Sequence, residues 1–168
     1  MRKVTRVLFV CLGNICRSPT AHGVFASLLQ RRGLANLVEV DSCGTAGWHT
    51  GKAPDTRTVA AAAARGYDLS QLRARQVQRA DFERCDYILA MDNSNLQALQ
   101  AMCPVDYPGH LGLFLPFAPG IGMEEVPDPY YGGTEGFDEA LKLVEVASEG
   151  LFQALYPQWK SSDANPYR

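Results

Sequence analysis

Two cysteines and an arginine lie close together near the start of the chain, in the segment FVCLGNICRSP from Phe9 to Pro19. Cys11 and Arg17 are separated by five residues, which allows the backbone between them to curl around a tetrahedral oxyanion. The guanidinium fork of Arg17 can bind two oxygens of such an anion at once, which a lysine cannot do. A thiolate at Cys11 would face the bound anion as a nucleophile. This spacing predicts a phosphate-binding loop with a reactive cysteine.

The residues on either side of the loop predict a strand that leads into it and a helix that follows it. Residues 4–10 end in four consecutive apolar residues, which favours a strand buried on both faces. Ser18 can cap a helix, Pro19 fits its first turn, and the apolar residues that follow recur with a helical period. The N-terminus of a helix attracts anions and stabilises thiolates. The junction therefore suits both a phosphate and an ionised cysteine.

The composition of the loop distinguishes it from a nucleotide-binding loop. It contains no lysine, whereas a loop that holds a nucleotide with magnesium requires the pattern G-x4-G-K-[ST]. Gly13 and Asn14 are residue types that tolerate left-handed backbone angles. We expect such angles here, because they would turn backbone N–H groups toward a bound anion.

A thiolate that attacks a phosphate ester also needs an acid near the leaving oxygen. Asp128, in the segment VPDPYYGG from Val126 to Gly133, is the best candidate. The flanking prolines would stiffen its loop, the two tyrosines could form aromatic walls, and the two glycines would permit movement. By pattern alone, an ordinary turn before the last helix remains an alternative interpretation of this segment.

Length, charge and cysteine content limit the class of protein. A chain of 168 residues with a net charge of -2 fits one domain and has no basic excess for binding nucleic acid. No apolar run approaches a membrane span, and the N-terminal run is too short for a signal peptide. Five cysteines without paired C-x2-C spacing indicate a reducing compartment, so we expect a cytoplasmic protein. The three histidines, which show no metal-ligand spacing, are interpreted as solvated or hydrogen-bonded residues: His22, His49 and His110.

Strand and helix patterns alternate along the rest of the chain. Strands are predicted at 37–41, 87–91 and 111–117, and helices at 56–65, 94–102 and 137–156, the last ending before Pro157. Residues 161–168 are predicted to be a frayed polar tail. The alternation favours an α/β fold, in which one domain over residues 1–168 has a parallel four-stranded sheet with helices on both faces. Ligands of such sheets bind at the carboxyl ends of the strands, where the loop after the first strand emerges.

Three separate motifs resemble those of the low-molecular-weight protein tyrosine phosphatases. The signature loop of that family, V-C-x-G-N-x-C-R-S-P, matches Val10 to Pro19 throughout. Its Ser-x-Gly-Thr segment matches Ser42 to Thr45, and its acid motif D-P-Y-Y-G matches Asp128 to Gly132. Residues 82–96 also resemble the third strand of the family and the turn after it. The resemblance covers nearly the whole chain.

The resemblance implies a hydrolase of phosphotyrosine and aryl phosphates that forms a phosphocysteine. Cys11 would be the nucleophile, Arg17 would bind phosphate and stabilise the transition state, and Asp128 would act first as acid and then as base. Ser18 would donate a hydrogen bond to the Cys11 sulfur, and Asn14 would be held by Ser42. The phosphate-binding loop would comprise Leu12, Gly13, Asn14, Ile15, Cys16 and Ser18.

The resemblance also implies a substrate pocket and a redox partner. Trp48 and Tyr130 would flank the entering aromatic ring, and Tyr131 would belong to the same substrate pocket. Cys16 would trap an oxidised Cys11 as a disulfide, since a low-pKa exposed thiolate forms a sulfenic acid that a nearby thiol can attack. No metal or organic cofactor is implied. The implied partners are tyrosine-phosphorylated proteins and possible tyrosine kinases, and the expected state is a monomer or weak dimer.

Three other functions remain open at this point. An arsenate reductase would use the same oxyanion loop but needs a nearby resolving pair, whereas Cys85 and Cys103 lie 18 residues apart. A protein-arginine phosphatase tends to have threonine at the position that Ile15 occupies here, so this residue favours tyrosine. A binding module for phosphotyrosine would leave Cys11 and Asp128 without a role.

Overall fold

The strand that leads into the phosphate-binding loop lies inside a parallel sheet. In the computed structural model, which describes residues 4–163, four strands pair in the order β2-β1-β3-β4, and each pair is parallel. Their bounds are Thr5–Cys11 for β1, Val38–Gly44 for β2, Tyr87–Ala90 for β3 and His110–Leu113 for β4. The predicted four-stranded parallel sheet is confirmed.

Helices cover both faces of this sheet, also as predicted. In the described part of the chain they are α1 Arg17–Arg31, α2 Thr56–Ala63, α3 Arg79–Arg84, α4 Asn93–Met102 and α5 Thr134–Asp163. Helices α1 and α5 pack together on one face, whereas α3 and α4 contribute Phe82 and Leu99 to the apolar cluster on the other. Among residues 4–163, no helix combines the length and the apolar character that crossing a membrane requires.

Alternate residues of β1 enter the two halves of the core. Phe9 and Cys11 belong to the cluster beneath α1 and α5, and Leu8 and Val10 belong to the cluster beneath α3 and α4. The ring of Phe9 is fully buried and meets that of Phe25 edge-on at 5.8 Å. Full burial of one such ring contributes about 1.5–3 kcal/mol. The strand that ends at Cys11 is therefore held rigidly from both sides.

The ends of β4 and α5 differ most from the sequence-based prediction. β4 stops at Leu113, and a 3-10 turn at Leu115–Phe117 follows, because Pro116 has no N–H to continue the sheet. The prediction that the last helix ends before Pro157 was wrong, since α5 continues through this residue. Trp159 lies beyond the proline, is 3% exposed, and donates from its indole nitrogen to Thr5 Oγ1 at 3.2 Å, which anchors the final turns.

The structure also differs from the sequence-based prediction at the C-terminal tail and at one short helix. The polar tail predicted for residues 161–168 falls partly on α5, and residues 164–168 lie outside the described residues. The short helix α3 was not predicted, since six residues show too little periodicity. It begins where the Asp81 carboxylate accepts a hydrogen bond from the backbone of Gln78 at 2.8 Å.

The order of the strands places a crevice at the carboxyl end of β1. The chain leaves β1 toward β2 on one side, and β3 pairs with β1 on the other. Ligands of doubly wound sheets bind at such a reversal of strand order. Residues 12–16 emerge here, as predicted.

Candidate active site

The phosphate loop, defined here as residues 11–18, joins the end of β1 to the start of α1. Cys11 and Arg17 are each 3% exposed. The Cys11 sulfur accepts a hydrogen bond from the Asn14 backbone N–H at 3.3 Å and lies 3.0 Å from Ser18 Oγ. Ser18 Oγ is also 3.2 Å from the Cys43 carbonyl oxygen, and its single proton can be donated to only one acceptor at a time. Rotation of this hydroxyl can therefore stabilise a thiolate whenever one forms.

Asn14 gives the loop its shape. Its φ is 58°, in the left-handed region that few residues other than glycine adopt readily. Its amide nitrogen donates to Ser18 Oγ at 2.8 Å, and its Oδ1 accepts from the backbone N–H of Arg75 at 3.0 Å. The expectation that Ser42 holds Asn14 was wrong, because Ser42 Oγ instead lies 3.0 Å from His22 Nδ1.

Gly13 matters in the loop because it has no side chain, and not because of its backbone angles. It is absent from the left-handed region, so the expectation of a left-handed angle at this residue was wrong. A Cβ at this position would lie 3.0 Å from Cδ2 of His49, which is tighter than ordinary van der Waals contact. A side chain at this position would require the imidazole of His49, which packs against the loop, to shift by a few tenths of an ångström.

Arg17 is oriented by acceptors from two distant segments. Its Nη1 donates to Asp92 Oδ2 at 2.6 Å and to the carbonyl oxygen of Val126 at 3.0 Å. Burial by itself would lower the pKa of Arg17, but the negative charges of Cys11, Asp92 and Asp128 together raise it above its ordinary value. Arg17 is therefore a permanent cation at the base of the site.

Asp92 was missed by the sequence analysis. It follows Met91 directly after β3, and its other oxygen, Oδ1, accepts from Asn95 N at 2.8 Å at the start of α4. An acidic residue just after a buried parallel strand was the available signal, because the carboxyl ends of neighbouring strands meet at one edge of the sheet.

The acid segment, defined here as residues 126–133, crosses above the phosphate loop. Val126 is buried, and its N–H donates to the carbonyl oxygen of Met91 at 2.8 Å. Asp128 Oδ2 lies 3.5 Å from Arg17 Nη2, and the Asp128 side chain is 34% exposed. Asp128 Oδ1 accepts from the backbone N–H of Tyr130 at 3.1 Å. The carboxylate is thus close to the anion-binding arginine and in contact with solvent.

A cleft opens over these groups, and most of the predicted site residues line it. The indole of Trp48 is 71% exposed and the phenol of Tyr131 is 88% exposed. The rings of Tyr130 and Tyr131 meet edge-on at 5.0 Å. The residues that line the cleft are Cys11, Leu12, Gly13, Ile15, Cys16, Arg17, Trp48, His49, Asp128, Tyr130 and Tyr131. His49 is a lining residue that the sequence analysis left among the solvated histidines.

Cys16 borders the same cleft as Cys11. It is 5% exposed, and burial raises the pKa of its thiol to about 12. Burial also raises the pKa of Cys43 and Cys85, and these two residues pack in the core cluster on the opposite face of the sheet. All five cysteines carry free thiols.

Comparison with known proteins agrees with this geometry. The family model described as "Low molecular weight phosphotyrosine protein phosphatase" matches residues 6–161, which include the phosphate loop, Asp92 and the acid segment. The chain belongs to this family. It is a protein tyrosine phosphatase, a hydrolase whose substrates are phosphorylated proteins. It is 46% identical over 156 residues to a low molecular weight protein-tyrosine-phosphatase of Streptomyces coelicolor, with 91% of this chain and 94% of the relative covered.

Solved structures share the fold of this phosphatase. A protein tyrosine phosphatase from Entamoeba histolytica superposes with a TM-score of 0.87 at 39% identity, covering 92% of this chain and 98% of that one. A Drosophila protein described as an arginine phosphatase superposes with a TM-score of 0.82 at 32% identity, covering 88% and 96%.

Proposed function

We propose that this phosphatase hydrolyses phosphotyrosine and aryl phosphate monoesters through a phosphocysteine on Cys11. The observation that carries the proposal is the buried Cys11 sulfur, which meets the Asn14 N–H and the Ser18 hydroxyl in the same cleft as Arg17 and Asp128. A sulfur that accepts hydrogen bonds at a helix N-terminus is stabilised as a thiolate. Its position at the base of the cleft suits attack on a bound phosphorus.

In the first step the Cys11 thiolate forms a bond to phosphorus as the bond to the phenolic oxygen breaks. Backbone N–H groups of the phosphate loop and the guanidinium of Arg17 hold the other phosphate oxygens. Asp92 and Val126 both engage Nη1 of Arg17, so Nε and Nη2 are the groups that would bind two phosphate oxygens, Nη2 in addition to its 3.5 Å contact with Asp128. Asp128 gives its proton to the departing oxygen, so that a neutral phenol leaves.

In the second step a water attacks the phosphocysteine. The Asp128 carboxylate, now ionised, takes a proton from this water as the new bond to phosphorus forms. The sulfur–phosphorus bond breaks, and Cys11 leaves as a thiolate that the Ser18 hydroxyl and the Asn14 N–H stabilise. Inorganic phosphate then departs and the starting state is restored.

The rim of the cleft supports a flat aromatic substrate. Trp48 and Tyr130 present rings on the border of the cleft, and Ile15 adds an apolar side chain near the loop. Such surfaces can flank a phenyl ring while its phosphate reaches the loop.

Substrates would be tyrosine-phosphorylated proteins that a tyrosine kinase supplies. The free thiols support a reducing, cytoplasmic location, and we propose a monomer or weak dimer.

The positions of the remaining cysteines support hydrolysis over arsenate reduction. Relay of a disulfide from Cys11 would require thiols that can reach it. Cys43, Cys85 and Cys103 instead pack in or against the cluster of Leu8 and Val10, whereas Cys11 lies in the other cluster.

The decisive experiment compares the wild type with Cys11→Ser in hydrolysis of para-nitrophenyl phosphate at about pH 5.5 with EDTA. We expect turnover to disappear in Cys11→Ser, and an acid quench of the wild type to trap phosphate on sulfur. Cys103→Ser is the matched control, since Cys103 is only partly buried and outside the cleft, and it should retain wild-type turnover. Activity that persists in Cys11→Ser would contradict the proposal.

Peptide substrates then test the specificity. We expect faster hydrolysis of a phosphotyrosine peptide than of the matched phosphoarginine peptide. Preference for the phosphoarginine peptide would replace tyrosine by arginine as the target residue, and turnover only of arsenate with thioredoxin would favour a reductase.

A further inference from the structure

Arg57, in the first turn of α2, contacts two segments that the reaction must keep aligned. Its Nε and Nη2 donate to the two oxygens of Asp55 at 3.0 and 2.9 Å. Its Nη2 also donates to the carbonyl oxygen of Tyr130 at 3.2 Å. The guanidinium lies over the rings of Phe137, at 4.5 Å, and Tyr130, at 5.4 Å. It therefore joins the start of α2 to the acid segment and to the first turns of α5.

The two ends of this connection reach the reacting groups. On one side, the backbone N–H of Asp55 donates to the carbonyl oxygen of Ile15, in the phosphate loop, at 2.8 Å. On the other side, the backbone N–H of Tyr130 donates to Asp128 Oδ1 at 3.1 Å. A continuous series of hydrogen bonds thus runs from the phosphate loop through Asp55, Arg57 and Tyr130 to the carboxylate of Asp128.

Besides the contact with Arg57, the acid segment is held near Asp128 by the buried Pro129 and by the 3.5 Å contact between Asp128 Oδ2 and Arg17 Nη2. Between Val126 and Phe137, Pro129 is the one buried residue. A Cβ added to Gly133 would meet no atom within 4 Å, so packing does not confine the backbone at this glycine. A contact at Tyr130, two residues from Asp128, can therefore decide where the carboxylate lies.

We propose that Arg57 is a positioning residue that holds Asp128 at its working distance from the phosphate loop. The proposal rests on the role of Asp128 as the acid. An ordinary exposed ion pair contributes little to stability. Arg57 differs because the fork that binds Asp55 also binds the backbone of the acid segment. A displacement of about 1 Å in a reacting group can reduce the rate about 10²-fold.

The test is a double-mutant cycle of Arg57→Gln and Asp128→Asn with two substrates. Phenyl phosphate has a poor leaving group that needs an acid, whereas 2,4-dinitrophenyl phosphate does not. We expect Arg57→Gln to lower kcat/KM for phenyl phosphate about 10-fold and for the dinitrophenyl ester less than about 2-fold. In the Asp128→Asn background, Arg57→Gln should cause no further loss with either substrate.

Arg65→Gln is the matched control. Arg65 follows α2, is exposed to a similar degree, and pairs with Glu145 of α5 at 2.7 Å, far along that helix from the acid segment. It should show no dependence on the leaving group. Arg57→Lys retains a cation but not the fork, so it should show the same selective loss and serves if the glutamine variant fails to fold.

Equal losses with both substrates, or losses that multiply in the double variant, would overturn the positioning role of Arg57. If Asp128→Asn itself affects both substrates equally, Asp128 is not the acid and Arg57 has no acid to position. The Cys11→Ser result is independent of both outcomes, so failure of the positioning proposal is distinguishable from failure of the phosphocysteine mechanism.

Discussion

The phosphate loop and the acid segment meet in one cleft but are held in opposite ways. In the phosphate loop, the residues that act on the anion are buried, and its internal hydrogen bonds join Cys11, Asn14 and Ser18, which lie within eight residues. In the acid segment, Asp128 and Tyr130 are exposed. Its attachments come from distant parts of the chain, namely Met91, Arg17 and Arg57.

This difference matches what each region must do. A nucleophile and its anion-binding donors are most effective when their geometry is fixed before the substrate arrives. A group that acts as acid in one step and base in the next must exchange protons with water and admit the water that attacks. Substitutions in the phosphate loop should therefore affect every substrate equally, whereas those in the acid segment should depend on the leaving group.

Among substitutions that keep the Cys11 nucleophile, Arg17→Lys should give the largest effect on the loop side of this comparison. Lysine retains the charge but cannot contact Asp92, Val126 and two phosphate oxygens together. We expect kcat/KM to fall by about 10²–10³, to the same extent for phenyl phosphate and for its dinitro derivative. Arg31→Lys, at the far end of α1, is the control. Near-normal activity of Arg17→Lys would show that charge alone is sufficient.

The loop could be predicted from the sequence because its chemistry is local. Cys11, Arg17 and Ser18 lie in one short segment, and strand-loop-helix patterning places that segment at the edge of the sheet. The residues that hold it from outside could not be predicted in the same way. Asp92 and the backbone of Arg75 lie 75 and 61 residues away from the groups they contact.

The wrong expectations have the same physical origin. The partner of Asn14 was expected to be Ser42, but Asn14 accepts a hydrogen bond from Arg75 and Ser42 lies against His22. Only the tertiary structure brings these residues together. The end of α5 was predicted from Pro157 alone, although burial of Trp159 beyond it offsets the lost hydrogen bond. In both cases a contact with a residue distant in sequence outweighed the preference of the local sequence.

Substitution of Asn14 tests whether the shape of the loop depends on its backbone or on its side chain. Asn14→Gly can keep the φ of 58° but loses the contacts to Ser18 and Arg75, whereas Asn14→Ala loses these contacts and is also strained. We expect Asn14→Ala to have a free energy of unfolding about 1–2 kcal/mol below that of Asn14→Gly. Urea denaturation measures this difference. Equal stability of the two variants would mean that the loop changes its backbone angles.

The smallest effect on turnover, and a large one on recovery from oxidation, should come from Cys16. Peroxide would convert the Cys11 thiolate to a sulfenic acid, and attack by Cys16 would form the disulfide and release water. Because burial raises the Cys16 pKa to about 12, its thiolate fraction should grow about tenfold per pH unit below that value. Disulfide closure should therefore accelerate as the pH rises from about 7 to about 9.

Cys16→Ser removes the thiol that would form the disulfide with Cys11 and so tests its role in recovery from oxidation. After the same peroxide dose, dithiothreitol should restore most of the starting activity of the wild type but a several-fold smaller share of the variant's own starting activity. In the variant the sulfenic acid has no thiol to trap it and can proceed to irreversible acids. Recovery as complete as in the wild type would remove Cys16 from this role. It would also mean that the buried thiol beside the phosphate loop serves packing alone.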